Sequence, residues 1–350
     1  MSLRLRHEVP HIPFRDPFVI ARVSEGATGA TATTVVVTLE DPRHPGIVGL
    51  GEGFPDEYYG ETPGTMVAVF PLLLEAIGEP ELTLDGLAAA DAAMDAALRW
   101  NGAAKCAVDI ALHDLAAKVA GAPLHRFLNL SAEIPPTDFT IGIDTPEVVA
   151  ERARRAGNFP ALKIKLGGPA DLATIEAVRS VYRGPIRVDA NTAWLPADAE
   201  GLLPDLVRLG VELIEQPFPP RRYDQMAALQ SVSSLPIVAD ESAVTIEDLD
   251  ALVGAVAGVN VKLAKCGGVG PAKRMLERAH ALGFRTFLGC MEETSIGIAA
   301  SAAVASLADW VDLDGSLLLA EDPFDGLELG ADSRWVLPDR PGLGVTRRAS

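Results

Sequence analysis

Along the second half of the chain, apolar residues come in runs of four or five, separated by longer stretches with helical periodicity. The runs read as strands at residues 139–143, 162–166, 186–190, 211–215, 237–240, 259–262, 285–289 and 310–314, eight in all. Among the stretches between them, 146–156, 170–181, 197–209, 246–253, 271–282 and 296–307 have the length of crossover helices joining parallel strands. Such alternation predicts an α/β fold, a (β/α)8-type barrel. Before about residue 137 the pattern is different. A β-rich run at 34–39, a turn-rich stretch at 49–53 and alanine-rich helical segments over 82–119 predict a separate α+β unit. The boundaries are 1–130 for that unit and 131–322 for the barrel, with the Pro-, Gly- and Asp-rich tail 323–350 returning to the N-terminal region.

The chain's 350 residues suffice for a barrel of roughly 200–250 residues and a smaller unit. No run of 18 or more apolar residues occurs, and residues 1–10 lack the apolar core of a secretory segment. A formal charge of −18 disfavours nucleic acid and anionic lipid as partners. Cys106, Cys266 and Cys290 have neither disulfide-framework nor zinc-site spacing, so a cytoplasmic location is expected. A homo-oligomer is compatible with all of this.

Strands of a parallel barrel are buried on both faces, yet nearly every run ends in a charged residue. Asp189, Glu215 and Asp240 close the third, fourth and fifth runs at spacings of 26 and 25 residues, one βα unit each. They should meet at the C-terminal rim, where barrel active sites lie. Three carboxylates crowded there raise one another's pKa unless a cation neutralises them, and oxygen-only ligands favour Mg²⁺, with Mn²⁺ as substitute.

Lys163 and Lys165 lie two apart on the second strand and so share a face. Each should lower the other's pKa and make a neutral amine available as a base. Lys262 ends the sixth strand, across the mouth, where a carbon acid could lose a proton on one face and regain it on the other. Lys265, three residues on, serves structure or surface. Asp312 and Asp314 share a face of the eighth strand and could clamp a substrate ammonium.

Taken together, Lys163-Ile164-Lys165, Val188-Asp189-Ala190-Asn191, Ile214-Glu215-Gln216-Pro217, Ala239-Asp240-Glu241-Ser242, Lys262 and Asp312-Leu313-Asp314 resemble the enolase superfamily, in its muconate-lactonizing branch, and within that the dipeptide epimerases. The resemblance implies Lys165 and Lys262 as the acid/base pair and Lys163 as a carboxylate-polarising neighbour. It further implies Asp189, Glu215 and Asp240 as Mg²⁺ ligands, and Asp312 and Asp314 on the free amino group of a dipeptide. The implied reaction inverts the α-carbon of the C-terminal residue through an enediolate. Thr140 joins the substrate-binding set. The N-terminal unit becomes a capping domain whose loop within residues 16–34 closes over the mouth. Arg22 in that loop is either a partner for the substrate's second side chain or a plain surface arginine. The one barrel histidine, His280, sits in a helix rather than at a strand end, so the His–Asp dyad of the mandelate-racemase branch is absent.

Glu292 departs from the apolar residue that Ala-Glu epimerases tend to carry. If it faces the site, a cationic or neutral side chain is expected; if it faces solvent, it says nothing. Rival members of the branch are N-acylamino acid racemase, o-succinylbenzoate synthase and muconate cycloisomerase, whose substrates offer no ammonium to Asp312 and Asp314. A catalytically idle barrel is the rival from outside enzymology.

Overall fold

The structure is a computed structural model that describes residues 2–21 and 29–349. Its N-terminal sheet pairs Arg4–Glu8 with Val35–Glu40 and Val35–Glu40 with Val48–Gly53, both antiparallel. The turn-rich stretch expected at 49–53 is therefore a strand. Gly49, Gly51 and Gly53 share the face packed on helix Gly102–Val119, where an added Cβ would lie 2.1, 2.0 and 2.1 Å from the carbonyl oxygens of Ala111, Ala107 and Ala103. These glycines let a helix backbone lie directly on a strand, and they do not mark a turn.

Helix Pro63–Ile77 precedes the alanine-rich region, which divides into Leu84–Ala97 and Gly102–Val119. The break falls at Trp100 and Asn101, both with positive φ (64° and 59°).

Eight parallel strands follow in sequential order: Phe139–Ile141, Leu162–Lys165, Ile186–Asp189, Val211–Glu215, Ile237–Ala239, Gly258–Lys262, Arg285–Gly289 and Trp310–Asp312. Helices Pro146–Arg155, Asp171–Val181, Pro196–Arg208, Tyr223–Val232 and Val269–Ala281 cover the outside. The expected helix at 246–253 shrinks to a 3-10 turn and one α-turn before Gly254, and the one at 296–307 ends at Ala302. After the eighth strand come the short helix Gly315–Leu318 and two pairs of two-residue antiparallel strands, Phe324–Asp325 with Thr346–Arg347 and Glu328–Leu329 with Trp335–Val336.

Outward residues such as Ile164, Val188, Ile214 and Val261 join the helices in one core, while Leu213, Val238, Phe287 and Trp310 fill the barrel interior. The tail packs back on the first unit: Leu343 N donates to Asp114 Oδ1 (2.8 Å) and Leu124 N to Gly342 O (2.8 Å). Glu52 ties the two units together, accepting from Thr294 N (3.0 Å) and Gly297 N (2.9 Å) at the start of helix Ser295–Ala302. Among the described residues no helix is long and apolar enough to cross a membrane.

Candidate active site

Because side chains alternate along a strand, an inward residue at a C-terminal strand end meets its counterparts on neighbouring strands. Asp189, Glu215 and Asp240 do so. All three are fully buried, and one oxygen from each lies within 4.8 Å of the others. Some of their oxygens are held by protein donors: Asn191 N to Asp189 Oδ1 (2.9 Å), Asn260 Nδ2 to Glu215 Oε1 (2.7 Å) and Lys265 Nζ to Asp240 Oδ1 (2.5 Å). Glu215 Oε2 and Asp240 Oδ2 receive no hydrogen bond. Ammonium groups lie close to both, Lys163 Nζ 2.8 Å from the former and Lys262 Nζ 3.0 Å from the latter, without donor alignment. Orphaned, buried carboxylate oxygens converging on one point fit a hard divalent cation such as Mg²⁺.

Burial, and next the Asp189 charge, push the Glu215 carboxyl up to about 7. Burial also opposes the charge on Asp240, yet Lys262 and Lys265 outweigh it and hold the carboxyl well below its ordinary range.

Lys163 and Lys165 point inward together, as the spacing predicts. Lys163 Nζ reaches Asp312 Oδ2 (2.9 Å) as well as Glu215, and Lys165 Nζ bonds Asp189 Oδ2 (2.7 Å). Lys262 faces them from the sixth strand, with Met291 Sδ 4.0 Å from its Nζ. The lowered pKa expected of Lys163 from its like-charged neighbour is reversed, and Lys262 is shifted in the same direction. Burial does oppose the charge on Lys163 and Lys262, but the carboxylates around each win and raise both pKa values. Carboxylate neighbours on adjacent strands, which spacing between lysines does not reveal, decide the sign.

Lys163, Lys165 and Lys262 line one cavity of about 60 Å³ together with Thr140, Asp312 and Asp314. A larger cavity of about 310 Å³ lies on the outer side of the first strand, walled by Phe139, Phe159 and Leu317, and holds none of the three lysines. The chemistry belongs to the smaller one.

Thr140 N donates to Asp314 Oδ2 (2.5 Å) and Thr140 Oγ1 to Asp312 Oδ1 (3.0 Å). Asp314 lies just past the strand as the N-cap residue of helix Gly315–Leu318. Glu292 is half-buried and lines the cavity with Asp56 of the N-terminal unit. Burial, above all, pushes the Glu292 carboxyl up. Arg22 falls outside the described residues. His280 is far from the chemistry, on the helix surface against Leu307 O (2.8 Å).

Of the two expectations for Lys265, the structure keeps one: it is buried, and its Nζ also bonds the carbonyls of Asp240 (2.6 Å), Asn260 (2.9 Å) and Ala243 (3.0 Å). Three further residues escape a search for charged strand ends. Asn260 sits two residues before Lys262 on the same face, so alternation alone points to it. Gln216 at φ 33° accepts from Asp240 N (2.9 Å) and Ser242 N (3.1 Å), locking the turn that carries Asp240. Asp56 arrives from a different unit and has no local signal.

Comparison with known proteins agrees with this geometry. Residues 5–129 match the mandelate racemase/muconate lactonizing enzyme N-terminal domain, and residues 147–349 the enolase C-terminal domain-like family. The chain is 41% identical over 325 residues to the L-Ala-D/L-Glu epimerase of Bacteroides thetaiotaomicron, covering 92% of this chain and 83% of that protein. With the L-Lys-D/L-Arg epimerase of Methylococcus capsulatus it shares 41% identity over 259 residues, 69% of this chain and 72% of that one. The crystal structure of the Enterococcus faecalis dipeptide epimerase with Mg and L-Leu-L-Tyr superposes with a TM-score of 0.90 at 32% identity, over 99% of this chain and all of that one (100%). By both of its halves, the chain belongs to the mandelate racemase/muconate lactonizing enzyme family of the enolase superfamily.

Proposed function

We propose that this chain is a Mg²⁺-dependent dipeptide epimerase that inverts the α-carbon of the C-terminal residue by 1,1-proton transfer. The observation that carries the proposal is Lys165 and Lys262 lining one small cavity from the second and sixth of eight strands, with the carboxylate trio beside them. A Mg²⁺ ion on Asp189, Glu215 and Asp240 supplies positive charge against the negative charge that develops on the substrate carboxylate. Lys163 adds a fixed cation at the same place. With such an ion bound, Asp240 would hold the Lys262 proton less tightly. Lys165 then accepts the α-proton of one epimer and Lys262 delivers a proton to the opposite face; for the other epimer the roles exchange. Asp312 and Asp314 accept hydrogen bonds from the N-terminal ammonium, and Thr140 orients both.

The relatives carry names for both acidic and cationic dipeptides, so side-chain preference rests on the mouth itself. Glu292 and Asp56 place two acids on its lining, which favours a cationic or neutral side chain over an acidic one. The three free cysteines support a reducing compartment, the cytoplasm. The test is wash-in of deuterium from D₂O into a dipeptide library, followed by mass spectrometry with and without Mg²⁺. Mg²⁺-dependent labelling of dipeptides at one α-carbon is expected, with Ala-Lys or Ala-Arg ahead of Ala-Glu. No labelling of any dipeptide removes the proposal, and a strong Ala-Glu preference removes only the side-chain reading.

A further inference from the structure

The eighth and first barrel strands share no continuous ladder; a single bridge joins Thr137 to Val311. Side chains close the rest of the seam. Leu313 N donates to Thr137 Oγ1 (2.8 Å), and Thr140 donates to both Asp312 and Asp314. The two acids assigned above to the substrate ammonium are therefore seam residues, and whatever fixes the seam fixes them.

Asp138 lies in that seam, fully buried, with its backbone N donating to Val311 O (3.1 Å). Arg187 Nη1 donates to Asp138 Oδ2 (2.8 Å), while Arg187 Nε bonds Glu212 Oε2 (2.8 Å) toward the half-buried end of the fourth strand. The guanidinium stacks on Phe287 at 5.2 Å, and Lys163 Nζ lies 5.3 Å from the same ring. Asp138 Oδ1 accepts from no donor. Asp312 acts on it across the seam: the Asp312 charge and a side-chain hydrogen bond between the two acids both push the Asp138 pKa up, and the same bond lowers that of Asp312. Two buried carboxyls remain in contact only when one carries the proton.

We propose that Asp138 is a positioning residue for the ammonium clamp, holding the Asp312 carboxylate in place through a hydrogen bond while Arg187 holds Asp138 from below. The protonation pattern agrees. Burial and the Asp312 charge push Asp138 well above the usual carboxylate range, whereas Lys163 overcomes burial and pulls Asp312 down. Asp138 is thus the donor and Asp312 the acceptor; Thr140 Oγ1 and Lys163 Nζ donate to Asp312 as well, and the Asp314 carboxyl, itself pushed up by burial and the Asp312 charge, also hydrogen-bonds it. These partners fix the orientation of the Asp312 carboxylate before the substrate arrives, and that lowers the cost of binding an ammonium.

The inference rests on the clamp assigned under the proposed function, so the experiment separates the two. The probes are a dipeptide that the enzyme turns over and the same molecule without its α-amino group, measured in wild type, Asp138→Ala and Asp138→Asn with Mg²⁺. In wild type the desamino analogue is expected to show a much higher KM. Asp138→Ala should raise KM for the dipeptide about ten-fold, leave kcat within about three-fold and leave KM for the analogue unchanged, the signature of lost uniform binding. Asp138→Asn keeps a donor toward Asp312 and an acceptor for Arg187, and should return KM to within about three-fold of wild type. Titration with Mn²⁺ should give the same Kd in all three, which general damage to the barrel would not. If Asp138→Ala does not fold, Asp138→Ser, too short to reach Asp312, replaces it with the same expected rise in KM. Equal KM values for dipeptide and analogue in wild type would remove the clamp. Full discrimination in Asp138→Ala, or Asp138→Asn as impaired as Asp138→Ala, would overturn the role of Asp138 and leave the clamp standing.

Discussion

Two clusters of buried acids occupy this molecule, and their oxygens fare differently. Asp91 and Asp109 lie where the N-terminal unit meets the barrel helix Val269–Ala281, each almost wholly enclosed. Burial and the Asp109 charge push Asp91 up to about 9, while His113 overcomes burial and holds Asp109 down. His113 Nδ1 sits 3.1 Å from Asp109 Oδ1, Arg274 Nη1 3.1 Å from Asp91 Oδ2, and Val269 N donates to Asp109 Oδ2 (2.5 Å) at the positive end of the barrel helix. Asp91 Oδ1 also receives no hydrogen bond, but it is the one such oxygen of the pair and lies among the chain's own cations, so this junction docks two units without gathering orphaned oxygens at a shared point. At the mouth, Asp189, Glu215 and Asp240 also have cations nearby, but Glu215 Oε2 and Asp240 Oδ2 are left without a donor beside a cavity. The number of buried acids does not mark a metal centre. Lone pairs without donors, aimed at a shared point, do.

Asp240→Asn should break the comparison most severely at the mouth, lowering turnover by at least about 10³-fold and abolishing Mn²⁺ binding by titration calorimetry, because the lost charge is the one that compensates the ion. The melting temperature should fall as well, because the buried Lys262 and Lys265 lose their counter-ion. Asp109→Ala should destabilise the fold without touching the metal. Leaving His113 and a helix end without their partner costs about 3–5 kcal/mol in denaturant unfolding, while Mn²⁺ Kd stays where it was. A shared loss of metal affinity in Asp109→Ala would show that the two clusters are one system.

A milder probe is pH. Burial opposes the charge on His113, but Asp109 outweighs it and raises the pKa from 6.5 to about 9. The stability that this gives is fully present below pH 6.5 and is lost as pH rises through about 9. Asp91, held protonated up to about 9 by burial and Asp109, costs stability over the same window, because the unfolded carboxyl is already ionised there. The wild-type melting temperature should therefore fall between pH 6.5 and 9, and His113→Gln should fall less over the same window. Parallel curves would mean that His113 carries no excess proton in the fold.

Smallest is the effect of Glu292→Leu, which should shift the ratio of kcat/KM for Ala-Glu over Ala-Lys about ten-fold toward Ala-Glu by removing a like charge from the mouth. An unchanged ratio would place Glu292 outside the substrate's reach.

Much of the barrel was legible because its grammar is local. The fourth and seventh strands, Val211–Glu215 and Arg285–Gly289, fall where the runs predict them, and the other six shift at one end by one or two residues. The convergence of Asp189, Glu215 and Asp240 follows from one charged residue per βα unit, and the shared face of Lys163 and Lys165 from strand alternation. What stayed hidden depends on contacts between distant segments. Gly49, Gly51 and Gly53 look like turn residues until the helix lying on them is known. Asp138 looks like a loop acid before the first strand until the seam brings Asp312 and Arg187 against it. Lysine pKa values take their sign from carboxylates on other strands, which no spacing rule supplies.

The central claim is that Lys165 and Lys262 serve opposite faces of one α-carbon. It is tested most directly by following α-proton exchange in D₂O for each pure epimer with Lys165→Ala and Lys262→Ala, Mg²⁺ present. The expected result is complementary: neither variant interconverts the epimers, each still exchanges one of them, and the epimer that exchanges is different in the two variants. Exchange of both epimers at the wild-type rate in either variant would contradict the account.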